Sequence, residues 1–220
     1  MGMILTEASV ITNTSGDTRE RLNKEQEYLD YIKSHIANIR KGYEIYLMPL
    51  LDKENISTMI TDDELKSAIK EVEERIKTHD DSKFADAEFN DYRAHWYPTT
   101  EELAIDDDAK QLMNDRYEEA YRHHVTTNDH HPEHWKDENG NPIDMTLPAI
   151  LEMILDWISF SFRNHDEGSD ADTLEWYENK AIDEKKAMTD HTKKLLEEVL
   201  YRVLFGKNPP EEKVEEKNED

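Results

Sequence analysis

Cysteine is absent from this chain, which excludes disulfides, thiolate nucleophiles and every zinc site built on sulfur. Any metal must be held by His, Asp and Glu. Long apolar runs are also missing: none approaches the roughly 20 residues that a membrane-spanning helix needs. The N-terminus lacks the basic region and apolar stretch of a secretory signal. Positive charge is scarce, with 27 Lys and Arg against 52 Asp and Glu, for a formal net charge of −25. Such a surface repels nucleic acid and anionic membrane, so neither is expected as a partner. It suits a very soluble cytoplasmic protein and would attract a basic protein partner.

No internal repeat and no strand-like run longer than a few residues is present, so the fold is expected to be all-α. Its 220 residues suffice for one domain with a sizeable core. Residues 1–16 show no sustained period and read as a flexible lead-in, 17–205 as a single helical domain, and 206–220, after Gly206-Lys207-Asn208-Pro209-Pro210, as a disordered acidic tail. Leu22, Leu29, Ile32, Ile36, Ile39, Tyr43 and Leu47 carry the three-and-four spacing of an amphipathic helix that Pro49 ends. A second helix begins at a Thr61/Glu64 capping box and carries Leu65, Ile69, Val72 and Ile76 on one face. A third is expected over 101–124, a fourth over 147–163, and a last helical stretch, broken once, over 171–205.

The chemistry-bearing residues fall at the ends of these stripes or inside them. The stretch RHHVTTNDHHPEHW, residues 122–135, holds five of the ten histidines. Asp156 sits inside the most apolar helix, LPAILEMILDWISFSF, where a carboxylate is costly unless a metal, a cation or several donors satisfy it. Extending the second helix's stripe by three and four lands on His79 and Asp80, with Lys83, a suitable phosphate-binding cation, three positions further on. His35 shares the inner face of the first helix. On the third helix the side bearing Met113, Tyr117, Ala120 and Tyr121 leads to His124, whereas His123 continues the wet side. His165-Asp166, in a loop, is a second His-Asp pair and serves as an internal control.

The order His35, His79-Asp80, the histidines at 123–131 and then Asp156, in an all-α setting, resembles the HD-domain superfamily of metal-dependent phosphohydrolases. Within it, the segments His79–Phe84, Glu88-Phe89-Asn90-Asp91-Tyr92, His123–Trp135 and Glu152-Met153-Ile154-Leu155-Asp156-Trp157 resemble a family of mostly uncharacterised phage and bacterial HD-like proteins. The likeness spans roughly residues 30–160 and implies an HD-like helical bundle. It makes His35, His79, Asp80 and Asp156 ligands of one divalent transition metal ion. Asp80 matches the position that bridges two ions in binuclear members. His124 and one of His130 or His131, with His130 slightly preferred, would bring the second ion, and His134 would stand behind them or face water. A His and carboxylate donor set suits manganese, iron, cobalt, nickel or zinc.

The implied activity is hydrolysis of a small phosphate compound, a nucleotide or a phosphodiester, with Asp80 and Lys83 as the catalytic pair, in the host's cytoplasm if the chain is phage-encoded. Two other readings use the same core: a di-iron oxygenase of the HD fold, and an acidic interaction or inhibitor protein that keeps the metal core for structure.

Overall fold

The computed structural model describes residues 6–209, with side chains from residue 16 onwards. Among these residues every regular element is helical, and extended backbone pairs only at the isolated bridge between Lys136 and Pro142. The elements are α1 (Thr6–Gly42), α2 (Asp62–Arg75), α3 (Phe89–Trp96), α4 (Thr100–Leu103), α5 (Asp107–Thr127), α6 (Leu147–Ser161), α7 (Asp170–Asn179), α8 (Ile182–Ala187) and α9 (Asp190–Glu197). No helix among the described residues is long and apolar enough to cross a membrane.

Helix α1 begins at Thr6, inside the stretch read as a lead-in; residues 1–5 lie outside the described residues. The stripe that α1 buries is Tyr28, Ile32, His35 and Ile39, while Leu22 is 59 % exposed. Pro49 does not stop the chain's coiling directly. After Gly42 the backbone widens into a π-helical turn over Tyr43–Leu47 and then tightens into a 3₁₀ turn over Met48–Asp52. Pro49 stands in the first turn of that element, where a missing N–H leaves no bond unmade.

Helix α2 starts as its sequence dictates: the Thr61 side chain accepts from the Glu64 backbone N–H at 3.3 Å, and the Glu64 carboxylate accepts from the Thr61 N–H at 3.0 Å. The expected third helix is instead two. Thr99 and Glu102 form a capping box for the single turn of α4, and Asp106 then caps a fresh start, accepting from Ala109 N–H at 2.9 Å. The C-terminal stretch is broken twice, with Ser169 and Thr189 as caps of α7 and α9. Of the expected tail, residues 206–209 are irregular and 210–220 lie outside the described residues.

Two cores result. The larger is aliphatic and centres on α6, whose Ile150, Leu151, Ile154, Leu155 and Ile158 are fully buried against α1, α2 and the C-terminal helices. The smaller is largely aromatic: Tyr28 and Ile32 of α1 meet Tyr92 of α3 and Ala120 of α5, with Tyr31, Phe89, Tyr97 and Tyr117 packed around them. Residues from both cores enclose the cluster described next.

Candidate metal centre

Asp80 is the hub. It follows α2 through a short turn and takes a left-handed backbone conformation, φ 60° and ψ 19°, which tips its carboxylate inward before the 3₁₀ turn Asp81–Phe84 begins. Its Oδ2 lies 3.4 Å from His35 Nε2, 3.6 Å from His79 Nε2 and 2.6 Å from the Lys83 ammonium. Its Oδ1 lies 3.3 Å from His124 Nε2 and 3.6 Å from His130 Nε2. The two oxygens therefore face different sets of imidazoles. Asp156, reaching in from α6, places Oδ1 3.1 Å from His35 Nε2. His131 Nε2 is 3.1 Å from His124 Nε2, so His131 as well as His130 lies at the cluster. Ligand atoms of His35, His79 and Asp80 fall close enough together to hold an ion, as do those of His124, His130 and His131.

The outward nitrogens of these rings are fixed by partners behind them. His79 Nδ1 lies 2.8 Å from Glu152 Oε1, and His124 Nδ1 lies 3.0 Å from Glu88 Oε2. A carboxylate can only accept, so where these rings are neutral Nδ1 is the nitrogen that carries the proton and Nε2 the one that keeps a lone pair. Ser159 donates its hydroxyl to the Asp156 carbonyl at 2.6 Å, so its oxygen accepts from His35 Nδ1 at 3.1 Å, and Nε2 is the His35 nitrogen that faces the carboxylates and is left for a metal or a proton. The centre thus gathers acceptors against acceptors. His79 Nε2, Asp80 Oδ1, His130 Nε2 and Asp156 Oδ1 are each buried without a hydrogen-bond partner. Buried acceptors converging in this way could hold a cation, and a donor set of His and carboxylate is one that fits a divalent transition metal.

The metal-free electrostatics agree. Burial opposes charge on His35, yet the adjoining Asp156 and Asp80 carboxylates outweigh it and raise its pKa to about 9, so a proton takes the place a metal would. Asp80 is held well below the usual carboxylate range: burial pushes it up, and His79, Lys83, His35 and His124 together pull it down further. Asp156 is also lowered: burial pushes it up, and the protonated His35 ring beside it outweighs that. On the other side, burial and neighbouring imidazoles depress His130 well below its ordinary value and take His131 down to about 3. Lys83 stays an ammonium, because Asp80 beside it outweighs the effect of burial.

The stretch 128–135 lies beyond the end of α5, has only a 3₁₀ turn at Pro132–His134, and is pinned by hydrogen bonds. The Asn128 amide donates to the His124 carbonyl and to the Ser82 hydroxyl, each at 2.8 Å. Trp135 Nε1 donates to the Asp129 carbonyl at 2.6 Å. Arg75, at the end of α2, donates from Nε to Glu152 at 2.7 Å and from Nη1 to Asp129 at 3.1 Å, tying this stretch to α6. Glu88 and Glu152, buried and assigned no task from the sequence, are the carboxylates that orient His124 and His79. Their signal was available in part, since a second acid inside the apolar α6 needs satisfying as much as Asp156 does. His123 Nδ1 meets Glu88 Oε1 at 2.7 Å from a half-exposed position, and exposed His134 bonds the Thr126 carbonyl at 2.7 Å, so neither enters the centre. The control His165 pairs with Asp172 at 3.2 Å on the surface.

A cavity of about 490 Å³ opens onto the centre. Lys83, His124, His131 and Asp156 form its inner end, and Asp156 and Phe160 are the residues of α6 after Pro148 that are not buried.

The family described as a family of unknown function, DUF5662, matches residues 24–202, and the chain belongs to it. Among curated proteins and among solved structures, none matches the chain.

Proposed function

For this member of a family of unknown function, we propose a metal-dependent phosphohydrolase of HD-domain type that acts on a small phosphate ester. The observation that carries the reading is the set of unpartnered buried acceptors around Asp80, divided between its two oxygens. His35, His79, Asp80 and Asp156 would hold one ion, and His124, His130, His131 and the other oxygen of Asp80 a second. When bound, the ions supply Lewis acidity, which brings the pKa of water towards neutrality and offsets charge on a phosphoryl group.

The protein's own residues account for the rest. Glu152, Glu88 and Ser159 hold the ligand rings in the tautomer that binds metal, the usual office of groups behind a metal's ligands. Lys83 lines the cavity and stays charged, so it can meet a phosphoryl oxygen at the cavity's inner end. In the hydrolysis, a bond from water oxygen to phosphorus forms as the ester P–O bond breaks, and the departing oxygen keeps the electron pair and is protonated to an alcohol. The buried inner end of the cavity favours a small ester over a long polyanion. The test is phosphate release from a broad panel of monoesters and diesters by purified protein loaded with manganese, iron, cobalt, nickel or zinc. Turnover that Asp80→Asn abolishes is expected; no turnover with any metal overturns the assignment.

A further inference from the structure

The cavity that leads from the centre to the surface has an unusual lining for a phosphate site. Besides its four inner polar residues it is walled almost wholly by rings, among them Tyr31, Trp96, Tyr97, Tyr117 and Phe160. These rings brace one another: Tyr31 and Tyr97 have centroids 6.2 Å apart, and Trp96 meets Tyr117 edge-on at 6.1 Å. Trp96 is 60 % exposed and Phe160 42 % exposed, so aromatic faces stand open around one opening although burying them would stabilise the fold. Tyr28 also lines the cavity, and its hydroxyl is buried without a hydrogen-bond partner. At the outer edge the Arg163 guanidinium lies over the rings of Tyr31, at 5.4 Å, and Phe160, at 5.0 Å, and donates to the Tyr31 hydroxyl at 3.2 Å.

From this arrangement we infer that the cavity is a recognition site for a planar aromatic ring carrying a phosphate monoester, with the phosphate at the Lys83 end, the ring between the aromatic walls, and Tyr28 as a positioning residue. The inference rests on the hydrolase reading for the fate of the phosphate, but not for the binding of the ring. Its physical basis is the division of the cavity. With metal held by the carboxylates and imidazoles there, the inner end beside Lys83 can satisfy an anion and nothing apolar; the walls can satisfy a flat apolar face, with tyrosine hydroxyls to meet its polar edge. A ligand complementary to both is one that joins a phosphate to a ring. The volume suits a single ligand of that size, at the lower end of the range for small-molecule sites. Stacking discriminates by flatness and not by sequence of functional groups, so nucleoside and simple aryl groups share the required chemistry. The unpartnered Tyr28 hydroxyl adds a directed donor or acceptor, and the guanidinium at the rim adds a planar cation that a ring's polar edge or a second anionic group can meet.

Binding of adenosine 5′-monophosphate, phenyl phosphate and ribose 5-phosphate to the full-length protein, metal-free and metal-loaded, followed by calorimetry, tests this directly. The two ring-bearing esters are expected to bind at least ten-fold more tightly than ribose 5-phosphate, and Trp96→Ala is expected to lower that ratio about ten-fold, the size of one lost stacking contact. A preference for the adenosine ester identifies a nucleoside as the ring source, and a preference for phenyl phosphate identifies a simple aryl group. Tyr28→Phe is expected to weaken ring-ester binding about five-fold while leaving Tm unchanged or raised, since it removes a hydroxyl that has no partner in the free protein; a merely structural tyrosine would lower Tm and leave the ratio of affinities alone. Equal affinity for ribose 5-phosphate and the ring-bearing esters overturns the inference even if all three are hydrolysed. Ring preference without turnover upholds it while removing the hydrolase assignment.

Discussion

The two halves of the ligand cluster are built by opposite means. His35 and Asp156 stand in the interiors of α1 and α6, and their positions are set by helices already committed to the main core. His130 and His131 sit on irregular chain that hydrogen bonds from Asn128, Trp135 and Arg75 hold in place. The halves also differ in charge. The first combines two carboxylates with two imidazoles and raises the pKa of His35; the second has three imidazoles, shares one carboxylate and depresses His130 and His131. Carboxylate-rich sites suit harder ions such as manganese, and imidazole-rich sites suit zinc, cobalt or nickel, so under the proposed assignment the two halves would differ in the ion each prefers.

The comparison breaks most completely at the residue the halves share. Asp80→Ala is expected to abolish stoichiometric metal binding by mass-spectrometric element analysis, and to destabilise the metal-free protein by about 3 kcal/mol as the Lys83 ammonium loses its buried counter-charge. Retention of either ion would show that the halves are independent. Next in size are changes confined to one half. Asp156→Ala should lose the ion of the carboxylate-rich half alone and His131→Ala that of the imidazole-rich half alone, so that the retained metal differs in identity between the two variants. Identical residual content would remove the assignment of separate sites.

A smaller effect is expected from the groups behind the ligands. Glu152→Gln and Glu88→Gln should each weaken metal binding ten- to 100-fold, roughly, the first in the His79 half and the second in the His124 half. Competition against a chelator of known affinity would measure it, and an unchanged midpoint would show that ring orientation is set elsewhere.

The metal-free protein should also distinguish the halves by pH. His35 is raised in the folded state, so its contribution is complete below about pH 6.5, its unfolded value, and is lost as pH rises through about 9, on the order of 3 kcal/mol in all. His130 and His131 are depressed, so they leave stability untouched above about pH 6.5 and reduce it as pH falls below that value and the unfolded chain takes up protons. Thermal unfolding of the chelated protein should therefore show Tm falling on both sides of about pH 6.5, and His35→Gln should flatten only the alkaline limb. Smallest of all, His165→Ala should leave metal content unchanged and shift stability by less than about 1 kcal/mol, because its pairing with Asp172 is exposed.

Much of this asymmetry was legible in the sequence and part of it was not, for identifiable reasons. Periodicity placed α2 and α6 well, because both have unbroken apolar faces and α2 has a capping box at its start. It placed His124 inward and His123 outward for the same reason. It failed where a cap competes with a continuing period: Leu103 and Ala104 carry on the pattern, yet Asp106 begins a new helix. It chose Leu22 and Leu29 for the first stripe when the buried ring is Tyr28, since hydrophobic spacing does not foresee a cavity that wants aromatic walls. Between His130 and His131 no period exists to decide, and their placement depends on bonds from residues as distant as Arg75. Glu88 and Glu152 stand in segments the sequence singles out but receive no task there, because what they do is defined by the ring each one faces, which spacing along the chain does not show.

The left-handed backbone at Asp80 sets limits on sequence variation that neither the ligand set nor the fold would impose alone. At φ 60° a side chain with a Cβ is strained by roughly 1–2 kcal/mol, and asparagine, aspartate and glycine bear the strain best. The centre, independently, demands a short side chain with two negatively charged oxygens. Only one of the twenty residues meets both requirements. Glutamate keeps the charge and strains the turn; glycine and asparagine keep the turn and lose the charge. Position 80 is thus a site where selection for foldability and selection for chemistry leave an intersection of a single letter, and asparagine there is the substitution that separates the two pressures in one experiment.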